Sequence, residues 1–225
     1  MFGRVAHRYD LLNRLLSGGT DVIWRRRAIR LLSPRPGERN LDLCSGTGDV
    51  ALEVFRQSRG RTTNIAADFT FEMLPLGARK FRREKAGIPE VNADALHLPF
   101  QDASFDSVTV AFGVRNFENF ETGVREIKRI LKARGRLVIL EFIPEPESFF
   151  GPGIRLYTRS ILPRVGAFIS GDGQAYQYLP DSVEQWPKPL ELAERLEKVG
   201  FTNVRFEVLV MGISAVHIGV KGEST

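Results

Sequence analysis

The chain has 225 residues, 43% of them hydrophobic, with 32 Lys and Arg against 27 Asp and Glu for a net charge of +5. That length and apolar content suit one sizeable core, so a single domain over residues 1–225 is expected, and the interspersed acids argue against nucleic acid as a partner. The one cysteine, Cys44, excludes an internal disulfide and a cysteine-built zinc site, and no metal-ligand spacing links the three histidines.

Residues 1–34 are expected to form a cap of short helices. Met1-Phe2-Gly3-Arg4 lacks the apolar core of a signal peptide, and no apolar run reaches the roughly 20 residues that span a bilayer, so a cytoplasmic location is expected. Within the cap, Val22 to Leu32 is basic and amphipathic, and two readings stay open. Arg25, Arg26, Arg27 and Arg30 beside Trp24, Ile29, Leu31 and Leu32 either touch a membrane surface or form a core helix with a solvated basic face.

The next elements alternate between strand-like and helix-like patterns, which argues for β-α units and an open, mostly parallel sheet. A strand at 39–44 runs into Cys44-Ser45-Gly46-Thr47-Gly48-Asp49, a glycine turn that opens a helix at 48–58. A second strand at 63–67 delivers Asp68 about twenty residues after the turn, the place of an acid that accepts ribose hydroxyls. Gly46 to Ala51 satisfies the dinucleotide pattern G-x-G-x-x-A, but Asp42 and Asp49 bracket the turn where a pyrophosphate would lie. Like charges a few Å apart repel by about 4 kcal/mol at an effective dielectric near 20. The loop therefore better suits a nucleoside ligand with an ammonium group and no phosphate, as S-adenosylmethionine is. Gly46 and Gly48 let helix-start amides approach a ligand carboxylate, Thr47 offers a hydroxyl and Asp42 favours a cation.

A helix is expected at 71–86, with Met73 and Leu74 placed either to cover an adenine face or to fill the core. A weaker strand at 89–92 leads to Ala93-Asp94-Ala95, where the Asp94 carboxylate can accept from an adenine amine while the Ala95 amide donates to a ring nitrogen. Pro99-Phe100 and Phe105-Asp106 read as packing. Strand 106–112 ends in Phe112-Gly113-Val114-Arg115-Asn116, at the carboxyl edge where α/β sites collect. Arg115 either serves a ligand there or pairs with Glu141 at the neighbouring strand end, and both can hold. Helix 118–132 and strand 135–141 follow. Residues 142–187, rich in proline and aromatics, are too long for a plain connection and suggest a lid or substrate wall. Helix 188–199 and strands 203–210 and 213–221 close the chain, the last two as an antiparallel hairpin. His217 lies in that final strand, where a lone histidine is more often a hydrogen-bonded structural residue than a base.

Together these motifs resemble the quinone-pathway C-methyltransferases, the demethylmenaquinone and 2-methoxy-6-polyprenyl-1,4-benzoquinol methyltransferase family. The resemblance runs from Val5 to Lys221 and rests on Tyr9-Asp10-Leu11-Leu12-Asn13, Leu16-Ser17-Gly18, Trp24-Arg25, the Leu41 to Asp49 run, Phe112-Gly113-Val114-Arg115-Asn116, Leu140-Glu141-Phe142, Leu162-Pro163, Tyr176-Gln177-Tyr178-Leu179 and His217-Ile218-Gly219. It implies a doubly wound, seven-stranded class I methyltransferase sheet, S-adenosylmethionine at Thr47, Asp68 and Asp94-Ala95, and a reduced polyprenyl quinol as acceptor. Ser45, Ala175 and Ala133-Arg134-Gly135 depart from the family pattern, and Ala175 bears on the acceptor.

For such a reaction Arg115 is expected to stabilise the phenolate, directly or through a water positioned by Asn116. Tyr176 and His217 are the candidates for removing the ring proton. The acceptor's tail implies peripheral contact with the inner membrane surface, and a homodimer is compatible with the sequence. A dehydrogenase, an RNA methyltransferase and a non-catalytic relative of the same fold are the rivals. The first lacks a Tyr-x-x-x-Lys pair, the second lacks aromatics set among bases, and the intact Asp42, Asp68 and Asp94 argue against the third.

Overall fold

A computed structural model describes residues 17–144, 182–209 and 212–223. The element order is α1 (Thr20–Leu32), β1 (Arg39–Leu43), α2 (Asp49–Gln57), β2 (Thr63–Asp68), a 3-10 turn (Phe71–Met73), α3 (Leu74–Arg83), β3 (Glu90–Asn92) and β4 (Phe105–Ala111). A second 3-10 turn (Val114–Asn116), α4 (Phe120–Ile130), β5 (Leu131–Phe142), α5 (Pro189–Lys198), β6 (Phe201–Val208) and β7 (Ser214–Lys221) complete it.

The seven strands form one sheet in the order β3-β2-β1-β4-β5-β7-β6. β1 pairs in parallel with β2 and with β4, so that Leu43 lies opposite Ala67 on one side and Val110 on the other. The chain winds outward in both directions from this point, which opens a crevice at the carboxyl ends of β1 and β4. β7 is wedged antiparallel between β5 and β6. The expected doubly wound, mostly parallel sheet ending in an antiparallel hairpin is the one observed.

Side chains alternate across each strand, so each buried strand feeds two cores. Leu137 and Ile139 of β5 join Leu41, Leu43, Val108, Val110, Val124, Ile127 and Leu196 on the α4 and α5 side. Val138 and Leu140 join Trp24, Ile29, Leu32, Val50, Val54 and Val216 on the α1 and α2 side. This settles the two readings of the basic helix. Trp24, Ile29 and Leu32 are buried in the second core, Arg25 is tied to Asp21 and Asp49, and Arg27 to Glu207. The apolar face of α1 belongs to the protein interior and is not free for a bilayer.

Several boundaries differ from the sequence expectation, the helix expected at 118–132 ending at Ile130 among them, and three have a clear local reason. The helix expected at 71–86 is split, because Pro75 occupies the first turn of an α-helix that begins at Leu74, leaving Phe71–Met73 as a 3-10 turn. The strand expected at 135–141 begins at Leu131, where pairing with Phe105 survives a register shift around Arg134 and Gly135. β6 starts at Phe201, two residues earlier than expected, because Phe201 packs into the core beneath α5. Residues 1–16 of the cap and 145–181 of the expected lid, with Tyr176, lie outside the described residues.

Candidate active site

β1 delivers the first functional group and then turns sharply, with Cys44 at φ 56° and Gly48 at φ 79° as the residue capping α2. A side chain at Gly48 would place its Cβ 2.2 Å from the Phe81 ring, so glycine alone lets the loop close on α3. Gly113 plays the same part across the crevice, where a Cβ would lie 2.4 Å from that of Cys44. The loops after β1 and β4 are thereby in contact.

Asp42 is buried beneath this turn. Its carboxylate accepts from the Ala51 amide at 2.9 Å and from the Thr109 hydroxyl at 3.1 Å, and burial raises its pKa to about 7. Asp68, at the end of β2, accepts from the Gly46 amide at 2.7 Å and the Thr70 amide at 2.8 Å, and burial again raises its pKa. Each carboxylate oxygen keeps a further lone pair, so ribose hydroxyls can still be accepted. The Ala93 amide donates to the Asp68 carbonyl at 3.1 Å, which brings the Asp94-Ala95 turn beside the tip of β2. Asp94 is half-exposed there and accepts from the Leu96 amide at 2.9 Å, with Ala95 buried behind it.

The two acids expected to bracket the turn with open charge do not do so: Asp42 is buried and Asp49 is paired. Asp49 does not present a free carboxylate: Lys80 Nζ lies 2.7 Å from one oxygen and Arg25 3.2 Å from the other. Lys80 also donates to the Thr47 hydroxyl at 2.8 Å. Repulsion of a phosphate by two acids is therefore largely cancelled, and the ligand class rests on Asp68, the loop and the Asp94-Ala95 turn. Lys80 was missed because one lysine on an amphipathic helix carries no pattern. Met73 is 2% exposed and takes the core alternative, while Phe69 and Phe71, 74% and 66% exposed, are the apolar side chains that the acid loop leaves open.

On the other side of the crevice stands a buried ion pair. Arg115 Nη1 donates to Glu141 Oε1 at 2.6 Å and to the Phe112 carbonyl at 2.8 Å, with side chains only 6% and 1% exposed. The guanidinium also sits 5.5 Å from the Phe142 ring centre. Burial pushes the Glu141 pKa up, and Arg115 pulls against it. Asn116 is exposed at the end of the same turn. The Cys44 thiol is held well above its ordinary pKa by burial and by the carboxylates of Asp68, Asp42 and Glu141, with Arg115 opposing. Those four charged groups are thus gathered around one residue at the head of β1.

His217 is not part of this gathering. It is buried on β7 opposite Ile139, its Nε2 is 2.8 Å from the Pro189 carbonyl, and its ring stacks on Phe206 at 5.4 Å. Burial lowers its pKa to about 4, which makes it a weak base at neutral pH. The geometry matches the structural alternative.

The donor expected from the sequence asks for an acid near ribose, a small loop and neutral recognition of a base. Asp68, the glycine turn and the Asp94-Ala95 pair supply these. Ser45 Oγ is also buried in that turn without a partner among the described residues, a polar atom that a ligand can satisfy. The residues fit S-adenosylmethionine.

Comparison with known proteins gives concordant results. The profile of the ubiE/COQ5 methyltransferase family matches residues 1–221. A demethylmenaquinone methyltransferase of Thermus thermophilus is 46% identical over 219 residues, covering 97% of this chain and 99% of that protein. A ubiquinone/menaquinone biosynthesis C-methyltransferase UbiE of Geotalea uraniireducens is 43% identical, covering 98% and 94%. Among solved structures, a SAM-dependent methyltransferase from Aquifex aeolicus superposes with a TM-score of 0.66 at 16% identity, covering 94% of this chain and 97% of that one. A further methyltransferase structure from Methanococcus maripaludis gives 0.68 at 17% identity, covering 99% and 94%. These two likenesses speak to the fold.

Proposed function

The chain belongs to the ubiE/COQ5 methyltransferase family, and from that premise we propose that it methylates a ring carbon of a reduced polyprenyl quinol, with demethylmenaquinol as the preferred acceptor. The observation that carries this reading is the pairing of a donor-type edge, Asp68 with the glycine turn, and a buried Arg115–Glu141 couple facing it across the switch point. The Thermus and Geotalea relatives carry names that fit the same reading.

S-Adenosylmethionine, when bound, supplies an electrophilic methyl group. Asp68 would hold its ribose, Asp94 and Ala95 its base, Gly46, Thr47 and Gly48 its amino acid end, and Asp42 would anchor the turn from below. Arg115 would stabilise the phenolate whose charge spreads to the attacking ring carbon, with Asn116 ordering the same edge. Tyr176 is the remaining candidate for taking the ring proton, since His217 is weakly basic and engaged. Alignment rather than bond chemistry is the main demand, and holding two reactants in line can supply about 7–11 kcal/mol.

A polyprenyl tail partitions into a bilayer, so the enzyme would work from the cytoplasm as a peripheral protein at the inner membrane surface. No helix among the described residues is long and apolar enough to cross a membrane. We take residues 1–225 as one methyltransferase domain, with an N-terminal helical cap at 1–34 and an inserted lid or substrate segment at 142–187.

The test is methyl transfer from labelled S-adenosylmethionine to chemically reduced demethylmenaquinone, beside the matched methoxybenzoquinol and both oxidised quinones. Methylation of the naphthoquinol is expected. Preference for the benzoquinol would move the enzyme to the ubiquinone branch, and activity on neither, with donor bound in a calorimeter, would overturn the quinone assignment.

A further inference from the structure

The carboxylates along the crevice can be accounted for one oxygen at a time. Asp42 accepts from Ala51 and Thr109, Asp68 from Gly46 and Thr70, and Asp49 from Lys80 with Arg25 beside it. Glu141 is different. Its Oε1 accepts from the Arg115 side chain at 2.6 Å and from the Phe142 amide at 2.9 Å, and the Arg115 amide adds to the support of the carboxylate, while Oε2 is buried with no hydrogen-bond partner among the described residues. Arg115 Nε, a donor in the same pair, is also buried without a partner. An unfilled acceptor and an unfilled donor in a buried ion pair each carry an uncompensated desolvation cost, larger for charged groups than for neutral ones. Such a cost is tolerated where a ligand supplies the missing partners.

Resting on the quinol reading above, we propose that Glu141 is the residue that takes the proton from the acceptor's hydroxyl, using Oε2, while Arg115 becomes the counter-ion of the phenolate so formed. The O–H bond of the quinol breaks and an O–H bond forms on Glu141. Charge is conserved within the buried site, because the phenolate replaces the carboxylate as partner of the guanidinium. Methyl transfer then forms the new carbon–carbon bond as the methyl leaves its sulfonium, and the ring becomes a neutral dienone. The ring C–H proton departs to water or a nearby base, and Glu141 returns its proton to the ring oxygen, so one proton is released overall.

Other groups suit this step less well. His217 Nδ1 is likewise without a partner, but its ring lies one side-chain repeat further from the strand ends, is held by Pro189, and is a weak base. Among the described residues, the charged and titratable groups that act on Glu141 are Arg115 from the turn after β4 and the Cys44 thiol from the end of β1, with Ala215 opposite it on β7. Burial raises the Glu141 pKa, which moves it toward that of a phenol and eases the transfer.

The experiment compares wild type and Glu141→Gln on the parent acceptor and on a ring-fluorinated quinol whose hydroxyl is already ionised at assay pH. General-base removal should lower turnover on the parent by about 100-fold or more and on the acidified quinol by less than about 10-fold. Donor affinity should be unchanged. Equal losses on both acceptors, or none, would overturn the proposal. If the variant does not fold, 1-naphthol bound to donor-free wild type provides the second measurement. A naphtholate absorption band at neutral pH is expected, and its absence would also overturn the proposal. Wild type inactive on every quinol would instead count against the function itself, so the two failures are distinguishable.

Discussion

The two halves of the crevice solve the problem of buried charge in different ways. Around β1 and β2 the acids rest largely on neutral, fixed donors: Asp42 on an amide and a hydroxyl, Asp68 on two amides. Around β4 and β5 two full charges rest on each other, Arg115 and Glu141, and two of their polar atoms are left over. Amides belong to the backbone and persist when a side chain is changed, so in the half proposed to hold the donor a substitution should show itself as a loss of binding. In the half proposed to face the acceptor, removing either partner strands the other. The same edge of one sheet should therefore answer mutation with different kinds of damage.

The sharpest break in that contrast is Arg115→Ala, which leaves Glu141 buried and unpaired and should cost about 3–5 kcal/mol of stability, read from urea unfolding. Replacing both residues with apolar ones of similar volume should recover most of that stability while leaving turnover abolished. A loss below about 1 kcal/mol for the single variant would mean that the pair behaves like a surface bridge, and the comparison would collapse. Next in size is Gly48→Ala on the donor side. The residue is held at φ 79°, and the new Cβ would meet the Phe81 ring at 2.2 Å, so backbone strain of about 1–3 kcal/mol is expected. Adding Phe81→Leu should relieve the clash but not the dihedral cost, giving partial recovery in the same unfolding assay.

Asp68→Ala sharpens the contrast from the binding side. It removes the acceptor of two amides and of the proposed ribose contact, and a lost hydrogen-bonding partner of this kind should weaken donor binding by about 10- to 100-fold in a calorimeter. Turnover at saturating donor should fall much less. A variant that binds donor normally would remove Asp68 from the ribose, whereas a selective loss of turnover would make the two halves alike.

How much of this could be read beforehand follows from which signals are local. The β1 run, the glycine turn and the placement of Asp68 are local, because apolar runs and positive-φ turns are written in adjacent residues. The Arg115–Glu141 contact was foreseeable as one of two alternatives, since both residues end neighbouring strands. Lys80 was not, because its role depends on α3 lying across the turn, a long-range fact with no periodic trace. Met73 and Leu74 took the core alternative that the sequence left open, at the point where the 3-10 turn passes into α3. The apolar face of α1 was visible as amphipathy, but amphipathy does not say whether sheet or bilayer covers it. The charge on Asp49 misled for the same reason: its neutralising partners come from two other helices.

The smallest effect separates Asp42 from His217, two buried groups on different strands whose shifts run in opposite directions. The Asp42 pKa rises from 3.8 to about 7, so between those values the folded protein holds a proton that the unfolded chain lacks. Its contribution is fully present below about pH 4 and is lost as pH rises through about 7. The His217 pKa falls from 6.5 to about 4, so over nearly the same window the unfolded chain holds the extra proton, and stability is lost as pH falls through about 4. In the window shared by both, near pH 5, the two slopes oppose each other at up to one proton each, about 1.4 kcal/mol per pH unit. Asp42→Asn can keep both hydrogen bonds, with its amide oxygen toward Ala51 and its amine toward Thr109, and so imitates the protonated acid. Unfolding free energies measured across this window should therefore rise more steeply with pH than in wild type for Asp42→Asn, fall more steeply for His217→Gln, and return to the wild-type slope when both changes are combined. If Asp42→Asn leaves the slope unchanged, Asp42 is ionised in the folded state at pH 5, its anion being stabilised by the Ala51 amide and Thr109 hydroxyl strongly enough to offset burial. The anchor beneath the turn would then carry charge after all, and the donor half would resemble the acceptor half more closely than its hydrogen bonds suggest.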